Sequence, residues 1–528
     1  EGGCGGREET LEMLKYSLVR ELRLSEAEKQ VFATIRGTLQ FHSMNTTVRV
    51  AGGWVRDKLL GLESDDLDLA VDDMLGMEFA ERVNEYLAAE GEEIHSLGHI
   101  KANPEQSKHL DTCRLKLHGL WIDVVNLRSE SYAQDSRIPE MRIGTPEEDA
   151  LRRDLTLNAL FYNINTAEVE DLTGNGLHDL EHGIARTPMD PVQTFRDDPL
   201  RVLRAIRFAA RFDLTFDTAL VEAAKRSEVL EALACKISRE RIGAELNGIL
   251  LGPDPARGLR ELRDFGLLSY IFRPADFANC SLHQEEVESQ LERGIEVSQH
   301  ALAMVHSGDL SSLLAGPSPK EACRLLCLSA LFSGFSNAKY EFRKGRTEPL
   351  SRHLVQEAIK QKVADAEAVA SIVDSITILE GILEEFLLGE MHSVPRLRLG
   401  LAIRQCGRYW QLSLATLCAR DQYTARLDWS REQPFVLENY LLLNEYIHKQ
   451  GLHDCWDWRP RLNGKEVQDV LGIRPGPHMK LFMDAILEQQ IEKPEVTVEE
   501  LKQFLQGLDI PVQAPGRKPR EEGSSSLS

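Results

Sequence analysis

The chain has 528 residues, too many for one hydrophobic core, so two to four domains are expected. Hydrophobic residues at 42% and charged residues at 28% indicate a soluble globular protein, and no apolar run approaches the roughly eighteen residues of a membrane helix. A net charge of −22 argues against a general polyanion binder, so a nucleic-acid partner would have to be met by a local basic surface.

Residues 1–46 read as a helical lead-in, with the apolar spacing from Thr10 to Gln40 predicting two helices. The sequence starts at Glu1 rather than Met, so targeting information can be missing from it. Thr47 to Ala51 is rich in β-formers and ends in Gly52-Gly53, followed by a helical run from Val55 to Leu60. A glycine pair at a strand-to-helix turn lets backbone approach a ligand and leaves N–H groups that favour a phosphate. Arg56 adds a mobile positive charge in the first turn. The next strand, Asp66 to Val71, would carry Asp66 and Asp68 on one face, about 6–7 Å apart at Cα. Two carboxylates beside a phosphate cradle suit Mg²⁺ carrying a nucleoside triphosphate; the plainer alternative is a solvated strand start.

A helix from Leu75 to Glu90 follows, then strands at Arg114–Leu117 and Trp121–Val125 joined at His118-Gly119. Asp123 interrupts an apolar run and therefore needs a partner, either a metal or solvent at a sheet edge. Arg128 to Glu148 turns polar and reads as a mobile loop over the site. Arg152-Arg153-Asp154 with Asn158 is placed on a helix whose other face is Leu151, Leu155, Ala159 and Leu160; its arginines suit phosphate oxygens, and the alternative is a solvated face. From Pro199 to near Gln506 the pattern is helical, with breaks at Ser307–Ser318 and Lys344–Glu348. Pro511 to Ser528 is expected to be disordered. Nine cysteines without a framework of spacings indicate reduced thiols, and Cys323 with Cys327 read as core. His178-Asp179 and His453-Asp454 lack a supporting histidine cluster.

Arg201, Arg204, Arg207 and Arg211 stand in line after Asp198-Pro199. Asp198 would be the N-cap and Pro199 the first helical residue, making a basic helix face. In so acidic a chain that face also marks a local polyanion site.

GGWVRD, the DLD pair, RRDLTLNAL, the DLTG turn at Asp171–Gly174, DDPLRVLRAIRF and ISRERIGAEL at Ile237–Leu246 occur in one order. This ordered set resembles the motifs of the class II CCA-adding enzymes, the tRNA nucleotidyltransferases, over about residues 47–272. The fifth segment departs mildly, with Asp197-Asp198 where the family has Glu-Asp. The resemblance implies an α+β fold: a polymerase-β-like nucleotidyltransferase head with a mixed sheet, then all-helical neck, body and tail. The expected divisions are head 47–172, neck 173–272, body 273–430, tail 431–510 and a disordered end 511–528. It implies stepwise, template-independent addition of CCA to tRNA 3′ ends from CTP and ATP. Asp66 and Asp68 would hold two Mg²⁺ ions, and Asp123 would assist the attacking hydroxyl. Gly52, Gly53 and Arg56 would hold phosphates, and Arg153, Asp154, Asn158, Arg204 and Arg207 would contact the nucleotide. Asp198 and Arg201 would read the base. The implied partner is tRNA, held at its acceptor end and elbow. A monomer or weak dimer inside the cell is expected, in the cytoplasm or, for a eukaryotic chain, also mitochondrion or nucleus. Arg459 to Leu487 resembles the family tail, whereas the body matches no motif. The competing readings are a poly(A) polymerase or partial CC- or A-adding enzyme, and a non-catalytic RNA-binding protein of the same fold.

Overall fold

The structure, a computed structural model, describes residues 15–19, 21–64, 66–94, 96–100, 112–131, 140–314, 318–390, 392–427 and 437–508. The expected disordered end at 511–528 lies outside the described residues. The chain divides into two compact units, one of residues 1–278 with 353–362 and the other of 279–352 with 363–528.

In the first unit, helix α1 (Glu26–Phe41) starts at a capping box in which the Ser25 hydroxyl accepts from Glu28 N–H and the Glu28 carboxylate from Ser25 N–H. The lead-in therefore supplies one helix among the described residues, not two. The backbone N–H groups of Lys15, Tyr16 and Val19 are committed instead to the carbonyls of Glu181 and Leu59, which draws that stretch out along other elements.

Strand β1 (Val48–Ala51), helix α2 (Gly53–Leu59), strand β2 (Leu67–Val71) and helix α3 (Gly76–Glu90) follow, with Asp66 one residue before its strand. Strands β3 (Gly98–Ile100), β4 (Thr112–Leu117) and β5 (Leu120–Asn126) come next. Together with β8 and β9, described below, they form a seven-stranded sheet in the order β3-β4-β5-β2-β1-β8-β9. Only β2 and β5 run parallel, so the sheet is mixed, as expected. Alternation sends Leu67, Leu69, Leu115, Ile122 and Val124 into the core. The other face presents Asp68, with Asp123 beside it in register and Arg114 beside Asp123.

The polar stretch 128–148 is not simply a loop. Strands β6 (Arg128–Ser131) and β7 (Glu140–Ile143) pair as an antiparallel ribbon, and residues 132–139 lie outside the described residues. Helix α4 (Pro146–Leu151) then starts at a Thr145–Glu148 capping box. The Arg152–Asn158 segment is also not the predicted helix, because α4 ends at Leu151 and only a single 3₁₀ turn forms at Thr156–Asn158. The Asp154 carboxylate accepts Leu155 N–H at 2.8 Å, a local bond that diverts the backbone into the extended conformation of Leu155. Strands β8 (Phe161–Asn163) and β9 (Glu168–Glu170) complete the sheet.

The remaining helices of this unit include α5 (Gly176–His182), α6 (Pro191–Asp197), α7 (Leu200–Phe212), α8 (Thr218–Ala224), α9 (Ser227–Lys236), α10 (Arg239–Leu250) and α11 (Pro255–Asp264). Pro199, not Asp198, is the residue that opens α7; Asp198 closes α6 while its carboxylate still accepts Leu200 N–H at 3.2 Å. Leu200, Leu203, Ile206 and Ala210 form the buried face of α7.

Among its described residues the second unit is helical apart from one hairpin, Lys339–Arg343 with Arg346–Pro349, at one predicted break. Long helices at Gln284–Ser307 and Val363–Leu388 belong to its core, where Cys327 is buried and Cys323 half-buried, both as free thiols. Near its end Leu462, Val467, Phe482, Ile486, Val496, Leu501 and Leu505 make a separate apolar cluster. Among the described residues no helix is long and apolar enough to cross a membrane.

Candidate active site

The turn from β1 into α2 passes through Gly52 at φ +74°, in the left-handed region, and a Cβ there would lie 2.6 Å from Arg153 Nη1. Both facts call for glycine. Gly52 N–H donates to the Leu160 carbonyl at 3.0 Å, so the first turn of α2 offers a ligand the N–H groups of Gly53 and Trp54.

Asp68 and Asp123 are neighbours across β2 and β5, with Asp66 just ahead of β2. Burial lifts the Asp68 carboxyl to about 6, and the negative charges of Asp66 and Asp123 push the same way. Asp123 Oδ1 is buried without a hydrogen bond, with Arg114 Nε 3.4 Å away as the near cation. Among the described residues no three His, Cys, Asp or Glu side chains stand close enough to hold a metal ion in their present conformations. The donor set nevertheless fits a hard divalent cation: oxygen ligands only, mutually repelling, and one buried oxygen unsatisfied.

The opposite wall is fully paired. Arg56 is not the mobile charge expected from the sequence; it is 3% exposed, with Nε and Nη2 donating to Asp57 at 2.8 and 2.7 Å and Nη1 to Asn158. Its guanidinium lies 4.4 Å from the Phe212 ring centre. Asp149, also buried, accepts from both Arg152 and Arg153, at 2.5–3.1 Å. Asp154 accepts from Arg204 Nε at 2.7 Å and Asn158 Nδ2 at 3.1 Å. Burial alone would raise the Asp154 carboxyl, but the Arg204 charge and these hydrogen bonds outweigh it and hold it down to about 2.

Along α7 each of the four arginines has a partner. Arg207 donates to Glu245 at 2.6 Å, Arg204 reaches Glu245 at 3.6 Å in addition to Asp154, and Arg211 stands 3.8 Å from Asp57. Arg201, 8% exposed, donates to the Thr194 carbonyl at 3.3 Å. Asp198 Oδ2 accepts from Arg241 Nη2 at 2.7 Å.

These groups border one cleft of about 980 Å³ in the first unit. Its lining brings together Gly53, Arg56, Asp66, Asp68, Arg153, Asp154, Asn158, Asp198, Arg201, Arg204 and Arg207. Gly52 lies behind that surface, and Asp123 sits beside Asp68 at its margin. Nine arginines and eight carboxylates line the cleft, so in a chain of net charge −22 it is locally near neutral, and Arg204, Arg207 and Arg211 of the basic stripe read from α7 stand in ion pairs. Asp57, Asp149, Arg241 and Glu245 were not singled out from the sequence. Arg241 and Glu245 do carry a signal, standing four apart on one helix face within ISRERIGAEL.

The family model described as "Poly A polymerase head domain" matches residues 48–186, and "Probable RNA and SrmB- binding site of polymerase A" matches residues 227–277. The chain is 34% identical over 521 residues to the mitochondrial CCA tRNA nucleotidyltransferase of Candida glabrata, covering 93% of this chain and 97% of that protein. It is 36% identical over 484 residues to the protein of the same name from Saccharomyces cerevisiae, covering 88% of each. A solved structure described as a complex of CCA-adding enzyme with ATP superposes with a TM-score of 0.59 over 93% of this chain and 96% of that one, at 19% identity, a likeness of fold.

Proposed function

The chain belongs to the CCA tRNA nucleotidyltransferases, and from that premise we propose how its cleft divides the work. The enzyme adds C, C and A in turn to tRNA 3′ ends from CTP and ATP, without a nucleic-acid template. We place the reaction inside the cell.

Asp66 and Asp68 would hold Mg²⁺, two ions in our reading, with Asp123 completing the carboxylate face. The metal would acidify the terminal 3′-hydroxyl and neutralise the triphosphate. Asp123 would orient the attacking hydroxyl or take its proton. The N–H groups at Gly53, together with Arg153, Arg204 and Arg207, would hold the triphosphate and ribose. Each of those arginines already has a carboxylate or carbonyl partner, so its position is set before the nucleotide arrives.

Asp198 and Arg201 would read the base. Cytosine and adenine both set an exocyclic amino donor beside a ring-nitrogen acceptor, so carboxylate and guanidinium satisfy either one. Uracil and guanine turn a carbonyl towards Asp198, and two buried acceptors facing each other cost several kcal/mol, on the order of the loss for unpaired polar groups. In the free protein Asp198 is held by Arg241 and Leu200 N–H, which use two of a carboxylate's roughly four acceptor sites and leave capacity for an amino group.

The observation that carries this reading is one cleft lined by both the Asp66–Asp68 carboxylates and the Asp198–Arg201 pair. Incubating the protein with a tRNA lacking its CCA end, Mg²⁺ and each nucleotide separately tests it. C addition with CTP alone and A addition only to a CC end is the expected pattern. Repeated A addition would identify a poly(A) polymerase, and no incorporation a non-catalytic protein.

A further inference from the structure

The outer face of β5 changes character along its length. Val125 lines the cleft, Asp123 stands at its margin, and Trp121, two residues further from the cleft, points from the same face. Trp121 is 53% exposed, in contrast with Trp54 and Trp410 at 1% each. It has company of one kind. Lys116 is directly opposite it across β4 with Nζ 5.8 Å from its ring centre, and the Arg114 guanidinium lies 5.1 Å from the same centre. Arg114 also stands 3.4 Å from Asp123, so the cation links the ring to the carboxylate face.

Two cations around a solvent-facing indole, on a chain of net charge −22, form a surface suited to one stacked base and its phosphate. The alternative is a hairpin held together by cation–π contacts. Position favours a ligand. The arginine-rich helix wall joins the sheet on the β1–β8 side of β2, through Arg56 after β1 and Asn158 ahead of β8, where the triphosphate is placed above, and β5 lies on the other side of β2. An RNA 3′-hydroxyl attacking in line must then approach from the other side, and that side is Trp121. The spacing from Asp123 to Trp121, about 6–7 Å for two strand residues, is the reach from a ribose hydroxyl to a base of the same terminal nucleotide.

We propose that Trp121, flanked by Arg114 and Lys116, is the stacking platform for the 3′-terminal base of the RNA acceptor, a positioning residue for the attacking hydroxyl. This rests on the polymerising role assigned to the Asp66–Asp68 cleft.

The test uses the full chain and a tRNA transcript ending just before the first C, with 2-aminopurine as its terminal base. Binding to the wild-type protein is expected to quench the 2-aminopurine emission, Trp121→Phe to retain most of the quench, and Trp121→Ala to lose it. In single-turnover C addition, Trp121→Ala should weaken use of the RNA about tenfold to a hundredfold, the range for one lost stacked base, while the KM for CTP stays within about twofold. Lys116→Gln should show a smaller loss that shrinks as salt is raised. Unchanged quenching and unchanged RNA dependence in Trp121→Ala, with or without a lowered melting temperature, would return Trp121 to a hairpin contact and overturn the proposal. Absence of incorporation by the wild-type protein would instead overturn the polymerising role.

Discussion

The two walls of the cleft hold carboxylates in opposite electrical states. On the sheet wall, Asp68 is pushed up to about 6 by burial and by Asp66 and Asp123. On the helix wall, Asp154 is the more deeply enclosed of the two yet is held down to about 2 by Arg204. The residue type is the same, so the difference is in the partners. The helix wall supplies its own counter-charges, whereas the sheet wall leaves negative charge that an incoming cation must neutralise. A protein built only for stability would pair both walls, and the imbalance supports the proposal that the sheet wall is where a metal is held.

The largest way to break the comparison is to remove the waiting charge. Asp66→Ala or Asp68→Ala is expected to reduce both C and A addition by about a thousandfold or more while leaving tRNA binding nearly intact, a loss of about 4 kcal/mol in transition-state stabilisation. Near-normal turnover by either variant in Mg²⁺ would remove the metal assignment.

Next in size is base choice. Arg201→Ala should lower the CTP-over-UTP and ATP-over-GTP ratios of kcat/KM by about tenfold to a hundredfold, as expected for a lost discriminating hydrogen bond of about 1–3 kcal/mol. Arg241→Ala sharpens the point, because it removes the partner of Asp198 without touching Arg201. A retained ratio in Arg201→Ala would assign Arg201 to packing against the Thr194 carbonyl.

Stability separates the walls by sign. Asp154 has a folded-state value below its unfolded one, so its contribution is present above about pH 4 and is lost as pH falls through about 2. Asp154→Asn should therefore destabilise the protein at pH 7 by about 2–3 kcal/mol, a difference that closes towards pH 2 in denaturant titrations. Smaller still is Gly52→Ala, where the positive φ costs about 1–2 kcal/mol and the methyl displaces Arg153. Its KM for nucleotide should rise with little change in unit-two unfolding.

How much of this was legible in the sequence follows the same division. The Gly52-Gly53 turn, the Asp66–Asp68 pair and Asp123 were readable because strand alternation and turn chemistry act over a few residues. The pairing of α7 was not. Asp57, Asp154 and Glu245 reach the α7 arginines from distant elements, and no local period announces a tertiary ion pair. Two elements were misread for local reasons. Leucine spacing through Leu151, Leu155 and Ala159 imitates a helix, but the Asp154 side chain takes Leu155 N–H and ends it. In the β6–β7 ribbon the strand Arg128–Ser131 carries no apolar residue and Glu140–Ile143 alternates over only four, too short a period to mark a strand.

The most direct test of the opposed walls is the melting temperature of Asp68→Asn against wild type, without metal, across pH. A folded-state value raised to about 6 means that the charged Asp68 costs stability, fully above pH 6 and not at all below about pH 4. Asp68→Asn should therefore melt higher than wild type at pH 8, by a stability gain of about 3 kcal/mol at most, and match it near pH 4. Saturating Mg²⁺ should raise wild type and leave the variant unmoved. A variant that melts lower than wild type at pH 8, in step with Asp154→Asn, would contradict the account.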